Sequence, residues 1–498
     1  MNELIRSRVR RLKKLLDLGI NPFEEVRFER NSTTAKIIRN FSKLKPGEET
    51  KSSRTIAGRI MSIRIHGGVS FVKLADHKGT IQLMFRKDFS PESFKFLGEY
   101  LDEGDIVGIT GDVVRTKRGE LSILVSKVKL LSKAFRPLPS EWYGLKNVET
   151  RYRQRYLDFV MNSQVREDVA RISRMINGMR EYMVAQEFIE VNTPVLQPIY
   201  GGAFAKPFKT HHNFLKQDMF LRVAPELYLK KLIVGGFDRV FEIGPCFRNE
   251  SVDSRHNPEF IQLEAYQAFA SYEDMMKLVE SVVSAGVEAA TGSTTTVYQG
   301  KKVDFKTPWK RITMEDSLKA AGIDLYGMSD KELLREAKKL DIEALRVGDA
   351  IEGIFSEKIE HTLIQPVFVT HFPSDISPLA KKFPGTPRMA QRFEAYAGGI
   401  EIANAYSELN NPIEQYERFR EEVALRKKRV EEYMPMDKDY VRALEYGMPP
   451  TGGLGIGIAR LASLVVDKSS IKEVIPFPTV AGTADVKNIA EEFKIKFK

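Results

Sequence analysis

Four segments in the second half of the chain combine side chains that bind phosphates, small cations and flat ring systems. They are Phe247-Arg248-Asn249-Glu250, the segment His256 to Phe260, the segment Glu401 to Glu408, and the glycine-rich run Gly452 to Arg460. A guanidinium offers forked donors to phosphate or carboxylate oxygens. A carboxylate accepts hydrogen bonds from a cationic group. Together the segments predict a site for one nucleotide and one small cation.

Arg248 and Glu250 are two positions apart, so on a β-strand both side chains would leave the same face. Such an arginine suits an α-phosphate under attack, although an isolated pair of this kind is usually a surface salt bridge. His256 and Phe260 follow in a short loop, where an imidazole can reach a phosphate and a ring can lie on a purine. The alternative is a packed core histidine and phenylalanine.

Gly453, Gly455 and Gly457 alternate, which leaves one face of a strand without side chains. A flat ring system can approach such a backbone closely, and Arg460 can stack on its other side. The spacing differs from that of a dinucleotide fingerprint, and a tight turn from strand to helix is the alternative.

Glu394, Glu401 and Glu408 are spaced by seven residues in otherwise apolar sequence. Burial of an unpaired charge is costly, so these carboxylates need partners. Magnesium, which is usually held by one or two carboxylates plus substrate phosphates, explains some of them. A cationic substrate explains the others.

Composition sets the limits of these hypotheses. The chain has 498 residues, 42% of them apolar and 29% charged, which predicts a soluble globular protein of about three domains. We find no apolar run long enough for a membrane span, and the basic, amphipathic start lacks a secretory core. The single cysteine, Cys246, excludes an internal disulfide, so we expect a cytoplasmic protein without a structural metal. A net charge of +10 favours a polyanionic partner, although many basic proteins bind no nucleic acid.

Five segments of alternating apolarity between residues 54 and 131 predict a small all-β barrel of the oligonucleotide-binding (OB) type. The alternation points Arg59, Phe71 and Gln82 outward. Stacking of an unpaired base on such a ring contributes about 1–3 kcal/mol. An ordinary barrel with one exposed phenylalanine is the alternative.

The remaining chain mixes helices and strands in an order that favours an α+β domain on an antiparallel sheet with flanking helices. Apolar spacing predicts a helix from Val165 to Met183, then a strand at Phe188 to Val191 that ends before Pro194. This unit fits either a dimer interface or an internal packing element. The predicted ranges are a helical segment at 1–50, the barrel at 51–135, a linker at 136–160, the α+β domain at 161–480 with a helical insertion at about 313–362, and a tail at 481–498.

These residues resemble the signature motifs of class II aminoacyl-tRNA synthetases, most closely the lysyl-tRNA synthetases, over residues 1 to 480. Pro194 matches motif 1, Phe247 to Phe260 matches motif 2, and Gly453 to Arg460 matches motif 3. The segments Ala224 to Lys230 and Asn404 to Asn410 are of the lysine type. The resemblance implies activation of L-lysine by ATP and transfer of the lysyl group to the 3′ end of tRNA(Lys), by a homodimer that uses Mg²⁺.

The resemblance also implies residue roles. Those that contact the reacting groups are Arg248 and Arg460. Those that bind ATP are Arg248, Glu250, His256, Phe260, Glu401 and Arg460. Those that bind lysine are Gly202, Glu226, Arg248, Glu264, Tyr266, Asn404, Tyr406 and Glu408. Glu394 and Glu401 bind magnesium, whereas Arg59, Phe71 and Gln82 match anticodon-reading positions.

Two other functions remain open at this point. One is a synthetase relative that modifies a translation factor, which the barrel disfavours because such relatives resemble only the catalytic half. The other is an inactive nucleic-acid-binding homologue. The chain also departs from the family pattern at Ala459, where an aspartate is common, and at Gly244-Pro245-Cys246, where a proline limits strand pairing.

Overall fold

The computed structural model describes residues 2–139, 145, 147–325, 327–426 and 435–482. The chain divides into two compact units, of which the first extends to Ser163 and the second spans Gln164–Gly482. None of the helices in the described ranges is long and apolar enough to cross a membrane. Most of the predicted tail, residues 483–498, lies outside the described residues.

The first unit contains a closed five-stranded barrel. Its helices are α1 (Asn2–Asp17), α2 (Thr34–Asn40), α3 (Pro91–Tyr100), α4 (Val148–Arg153) and α5 (Arg155–Met161). Its strands are β1 (Glu49–His66), β2 (Val69–Asp76), β3 (Gly79–Arg86), β4 (Ile106–Arg115) and β5 (Leu121–Ser132). The strands close in the order β1-β2-β3-β5-β4, with a parallel β3–β5 pair. The predicted OB-type barrel is confirmed.

The apolar residues of the period-two pattern fill the interior of the barrel. Ile56 and Ile60 of β1, Val72 and Leu74 of β2, and Leu83 of β3 are at most 1% exposed. Leu15 of α1 and Ile37 of α2 join the same core cluster. Helix α4 and all of α5 except Met161 lie in the range predicted as a linker, so that range is partly helical.

The second unit contains the α+β domain. Its helices are α6 (Ser163–Ala185), α7 (Glu226–Val234), α8 (Tyr272–Thr291), α9 (Met314–Ala320), α10 (Asp330–Lys339), α11 (Val347–Lys358), α12 (Pro412–Arg426), α13 (Lys438–Glu445), α14 (Ile458–Val465) and α15 (Ile471–Val474). Its strands before the insertion are β6 (Ile189–Glu190), β7 (Leu196–Gln197), β8 (Lys209–His212), β9 (Gln217–Leu221), β10 (Arg239–Phe247), β11 (Glu259–Ala268), β12 (Thr295–Tyr298), β13 (Lys301–Asp304) and β14 (Lys310–Thr313). Those that follow are β15 (Val367–Pro373), β16 (Lys382–Phe383), β17 (Thr386–Ala397), β18 (Ile400–Ser407) and β19 (Thr451–Gly457).

The central sheet runs in the order β14-β15-β17-β18-β19-β11-β10-β6, with β16 beside β17. Its interior pairs are antiparallel, as predicted, whereas the two edge pairs β14–β15 and β10–β6 are parallel. Helices α8 and α14 pack on the sheet within the largest apolar cluster. The middle strands β18, β19 and β11 are therefore fixed on both edges, which makes them a rigid base for a site.

Helix α7, which spans Glu226–Val234, was not predicted. The sequence Glu226-Leu227-Tyr228-Leu229-Lys230 consists of residues that suit a helix, and Glu226 and Lys230 lie one turn apart on it. The apolar run is too short for its spacing alone to distinguish a helix from a strand.

The segment predicted to be a helical insertion contains α9, α10 and α11, which pack with β15 in a cluster of their own. Helix α10 has only Leu333 and Ala337 buried, as expected for a helix on the surface. Helix α11 is different, because Gly348, Ala350, Ile351, Ile354 and Phe355 are buried. The insertion is therefore anchored to the sheet through α11.

Candidate active site

A cavity of about 460 Å³ opens over the middle strands of the second unit. It is lined by all of the residues to which the resemblance assigns ATP, lysine or magnesium, except Glu408, which is fully buried. They are Gly202, Glu226, Arg248, Glu250, His256, Phe260, Glu264, Tyr266, Glu394, Glu401, Asn404, Tyr406 and Arg460. The roles of the individual residues stay predictions, but the fold brings the set together.

Arg248 lies in the loop after β10, which ends at Phe247, so the prediction that Arg248 and Glu250 share a strand face is wrong. The strand ends because its pairing with β11 stops at Phe247 and Glu259. The Arg248 guanidinium carbon lies 5.0 Å from the centre of the Phe260 ring. The Nε atom is buried, and it has no hydrogen-bond partner among the described residues. Arg248 thus has a donor available for an anion.

His256 is tied to the same loop rather than buried. Its Nδ1 lies 2.8 Å from Asp253 Oδ2, and 48% of the side chain is exposed. The alternative of a buried core histidine is therefore excluded.

The proline of the unusual Gly244-Pro245-Cys246 segment fits into β10. Pro245 is paired with Ile261 of β11, and its carbonyl accepts a hydrogen bond of 2.7 Å from Arg222 Nε. The parallel partner β6 pairs with β10 only at Val240 and Phe241. Pro245 therefore lies beyond the parallel pairing, where the missing N–H of proline is tolerated.

Strand β19 carries the alternating glycines between β18 and β11. Gly453 is paired with Tyr406 and Tyr266, and Gly455 with Asn404 and Glu264. A Cβ atom at position 453 would collide with Glu408 Oε1 and the Tyr266 ring. The strand is bare because its neighbours' side chains fill the space that its own side chains would occupy.

Arg460 follows on α14 and is held by Glu401. Its Nη1 donates to Glu401 Oε2 at 2.6 Å and to the Glu401 carbonyl at 3.3 Å. The attraction of Glu401 raises the pKa of Arg460 above its ordinary value. An acidic residue at position 459, where this chain has alanine, is therefore not required to orient the guanidinium.

Glu394 of β17 is the second carboxylate beside Arg460. Its oxygens accept from Arg392 Nη2 at 2.6 Å and from the Tyr396 hydroxyl. Burial, together with repulsion from Glu401, raises the pKa of Glu394 to about 8. Two carboxylates that repel each other beside a cavity fit a divalent cation. The described residues contain no group of three or more potential ligands, so a magnesium ion here would need substrate oxygens as well.

Three carboxylates lie close enough together to repel one another, namely Glu226, Glu264 and Glu408. Glu226, at the start of α7, accepts from the Tyr406 hydroxyl and from Lys230 Nζ, each at 2.6 Å. Glu264 on β11 accepts from the Tyr266 hydroxyl at 3.2 Å. Burial and repulsion from Glu226 raise the pKa of Glu264 to about 8. A cationic group beside these carboxylates would relieve that repulsion.

Gly202 allows the chain to pass close to Glu226. Its φ of 90° lies in the left-handed region, and a Cβ there would lie 2.9 Å from the Glu226 Cβ. Glycine is the residue that meets both conditions without strain.

Glu408 lies directly behind Gly453. The side chain is fully buried, and its Oε2 forms an ion pair with Lys230 Nζ. Its Oε1 has no hydrogen-bond partner within the described part of the chain. One oxygen of this carboxylate is therefore used by the protein, and the other is not.

Three residues of the site were missed by the sequence analysis. Lys230 lies one helical turn from Glu226, which is a usable signal once α7 is recognised. Arg392 lies two positions before Glu394 on β17, and its Nε also donates to Asn404 Oδ1 at 3.1 Å. Glu352 of α11 lines the cavity. Nothing in the sequence indicated that the insertion reaches the site.

The residues expected to read an anticodon lie on one face of the barrel. In the β1–β2–β3 register, Arg59 is paired with Ala75, Lys73 with Gln82, and Phe71 with Met84. Arg59 donates to the Gly104 carbonyl at 2.8 Å, and Gln82 donates to Ser122 Oγ at 2.8 Å. All three predicted side chains are half-buried. The predicted alternation is confirmed, and base reading stays a prediction.

Comparison with known proteins agrees with this architecture. Residues 147–481 match the family of tRNA synthetases class II (D, K and N), and residues 55–131 match the OB-fold nucleic acid binding domain. The lysine–tRNA ligase of Syntrophomonas wolfei is 49% identical over 486 residues, which cover 96% of this chain and 97% of that protein. The lysine–tRNA ligases of Carboxydothermus hydrogenoformans and Clostridium novyi are 46% and 45% identical, over 96% and 97% of this chain and 98% and 95% of those proteins.

These matches span both units at high identity, and the fold places the corresponding motifs around one cavity. The chain belongs to the class II tRNA synthetases of the D, K and N group, and within that group to the family of the lysine–tRNA ligases.

Proposed function

We propose that this protein activates L-lysine with ATP to form lysyl-adenylate and then transfers the lysyl group to tRNA(Lys). The observation that carries the choice of amino acid is Glu408 Oε1, a fully buried carboxylate oxygen without a hydrogen-bond partner among the described residues. A side-chain ammonium would supply that partner. A neutral side chain would leave this buried oxygen without a partner, which the site disfavours.

The substrate lies along the cavity in this proposal. Glu226 and Gly202 hold the α-amino group, while Glu408 and Tyr266 receive the ε-ammonium. Glu264 and Tyr406 complete the lysine pocket, and Asn404 assists with the carboxylate. Support comes from the position of Tyr266, whose ring lies against both Gly453 and Glu264.

ATP occupies the opposite end. Phe260 and Arg460 enclose the adenine, and Arg248 contacts the α-phosphate and the lysine carboxylate. Glu250 and His256 lie beside the nucleotide. The unpaired Nε of Arg248 and the anchoring of Arg460 by Glu401 support these roles.

The first reaction needs alignment rather than a protein base. The lysine carboxylate is ionised at neutral pH, so its oxygen can attack the α-phosphorus directly. The new oxygen–phosphorus bond forms as the bond to pyrophosphate breaks. Arg248 stabilises the charge that develops on the α-phosphate. In the second reaction the terminal 3′-hydroxyl of tRNA attacks the lysyl carbonyl, and AMP leaves.

Glu394 and Glu401 would hold a magnesium ion together with phosphate oxygens of ATP. Such an ion supplies positive charge to the departing pyrophosphate. Both carboxylates are already paired with arginines, Arg392 and Arg460. The arginines therefore position the two carboxylates for the metal.

We also propose a cytoplasmic homodimer. The motif 1 region around Pro194 carries exposed apolar side chains, namely Val184, Ile189, Leu196 and Ile199. Single exposed apolar residues are ordinary, but a group of this kind marks an interaction surface. Light scattering coupled to gel filtration should give about twice the chain mass, and a monomer would contradict the proposal.

The function is tested by lysine-dependent exchange of pyrophosphate into ATP, followed by charging of total tRNA. The proposal predicts exchange with lysine and lysine-charged tRNA. Exchange without tRNA charging would favour a relative that modifies a translation factor. Absence of both would favour an inactive nucleic-acid-binding homologue.

A further inference from the structure

Lys230 is a fully buried cation that joins two carboxylates of the lysine pocket. Its Nζ donates to Glu226 Oε1 at 2.6 Å and forms an ion pair with Glu408 Oε2. The side chains of Lys230 and Glu408 are 0% exposed, and that of Glu226 is 6% exposed. In the proposed function these two carboxylates receive the two amino groups of the substrate. A single protein ammonium therefore contacts both substrate-binding carboxylates.

Acidic and aromatic groups surround Lys230. Its Nζ lies 5.9 Å from the Tyr266 ring centre on β11, 5.4 Å from that of Tyr406 on β18, and 6.0 Å from that of Tyr440 on α13. Glu264 on β11 faces the same region. Burial alone lowers the pKa of Lys230, but the attraction of Glu226 and Glu408 outweighs burial and raises it. Lys230 therefore stays charged.

Glu408 depends on that charge. Its pKa is raised well above its ordinary value, because burial and repulsion from Glu226 and Glu264 outweigh the attraction of Lys230, which lowers it. Without Lys230, three buried acidic groups would share one region with no cation between them, and protonation would relieve the repulsion. A protonated carboxyl group would have to lose its proton before it paired with an ammonium group.

The ion pair also fixes which oxygen is available. Lys230 occupies Glu408 Oε2, so Oε1 is left toward Gly453 and Tyr266. We infer that Lys230 is a positioning residue that orients Glu226 and Glu408 and favours the ionised form of Glu408, so that the amino groups of lysine meet carboxylates already in place. The inference rests on the proposed function, because it assigns these carboxylates to the substrate.

The test compares Lys230→Met with the wild-type enzyme in pyrophosphate exchange between pH 7.0 and 8.5. Wild-type exchange with lysine is measured first, and its absence would refute the proposed function rather than the role of Lys230. In the variant, the KM for lysine at pH 7.0 should rise at least about tenfold, since binding then requires loss of a proton. The ratio of this KM to the wild-type value should fall by up to about tenfold for each pH unit as pH rises. The KM for ATP should change less than about twofold.

Lys231→Met is the matched control. Lys231 is the next residue on α7, but it forms a surface ion pair with Asp439, so its removal should leave the KM for lysine unchanged. An unchanged or lower KM for lysine in Lys230→Met would overturn the inference. A rise that is equal at pH 7.0 and 8.5, or that is matched by the KM for ATP, would overturn it as well.

A second substitution keeps the inference testable if Lys230→Met does not fold. Lys230→Gln removes the charge but keeps a donor, and it should show the same pH-dependent excess in the KM for lysine. If neither variant folds while Lys231→Met does, Lys230 has a structural role and the inference is wrong.

Discussion

At the scale of single residues, the two oxygens of Glu408 have different surroundings, because Oε2 meets Lys230 and Oε1 lies against Gly453. The protein uses Oε2 through Lys230, whereas Oε1 has no hydrogen-bond partner in the described chain. An unpaired buried carboxylate oxygen is costly in the free protein. A ligand whose ammonium group pairs with this oxygen removes that cost. The site therefore binds such a ligand in preference to one without the ammonium group.

Glu408→Gln should therefore abolish most lysine activation. Loss of the charge that pairs with the ε-ammonium is expected to lower kcat/KM for lysine by about two to four powers of ten, equivalent to about 3–5 kcal/mol. The measurement is lysine-dependent pyrophosphate exchange. Glu417→Gln, on the exposed face of α12, is the control and should behave as the wild type. Near-normal lysine kinetics in Glu408→Gln would refute the assignment.

The raised pKa of Glu264 predicts how the free energy of unfolding depends on pH. Folding raises its pKa from 4.5 to about 8, so the folded protein retains a proton that the unfolded chain releases in this range. Its contribution to stability is thus complete below about pH 4.5 and is lost as pH rises to about 8, on the order of a few kcal/mol.

Glu264→Gln should flatten this dependence, because an amide does not titrate. The urea midpoint of the ligand-free protein should fall less between pH 6.0 and 8.5 in Glu264→Gln than in the wild type. Glu259→Gln, at the exposed start of the same strand, serves as the comparison and should keep the wild-type slope. Equal slopes in all three proteins would show that Glu264 does not titrate as proposed.

At the scale of elements, β19 makes room for side chains from both of its neighbours. It lies between β18 and β11, and its glycines face Tyr266, Glu264 and Glu408. A side chain at Gly453 would displace Glu408 and Tyr266 of the lysine pocket. The strand therefore contributes to the site by lacking side chains.

Gly453→Ala should damage the lysine end selectively. Its new methyl group would collide with Glu408 Oε1 and the Tyr266 ring, so we expect a destabilisation of about 1–3 kcal/mol and a higher KM for lysine. Gly457→Ala is the matched control, because the nearest atom to its Cβ lies 3.8 Å away. Its KM for lysine should stay at the wild-type value. Equal kinetics for both variants would argue against this account of β19.

The elements that the sequence predicted are those in which apolar residues recur at a regular spacing. Alternation predicted the barrel and its inward residues, such as Ile56 and Ile60, and the spacing of apolar residues predicted α6. Helix α7 was missed because its apolar run is short. Arg392 and Glu352 could not have been assigned to the site, since their roles depend on which strands and helices meet in three dimensions.

At the scale of the whole molecule, the two units carry different tasks. The residues proposed to activate lysine all belong to the second unit, whereas the residues proposed to read the anticodon belong to the barrel of the first. Activation of lysine and recognition of tRNA should therefore respond to different substitutions. The net charge of +10 is compatible with an RNA partner.

Phe71→Ala separates the two tasks. Loss of a stacking ring should lower kcat/KM for tRNA charging by about ten- to a hundredfold, in line with about 1–3 kcal/mol per stacked base. Pyrophosphate exchange should be unaffected, because it needs no tRNA. Phe89→Ala, a substitution of a 43% exposed phenylalanine in the turn after β3, is the control and should charge tRNA normally. Normal charging by Phe71→Ala would contradict base stacking at this position.

The most direct test of the whole account is pyrophosphate exchange by the wild-type protein with each of the twenty amino acids in turn. The geometry of Glu226, Glu264 and Glu408 predicts exchange with lysine and none above background with the others at equal concentration. Exchange with aspartate or asparagine, or with no amino acid at all, would contradict it.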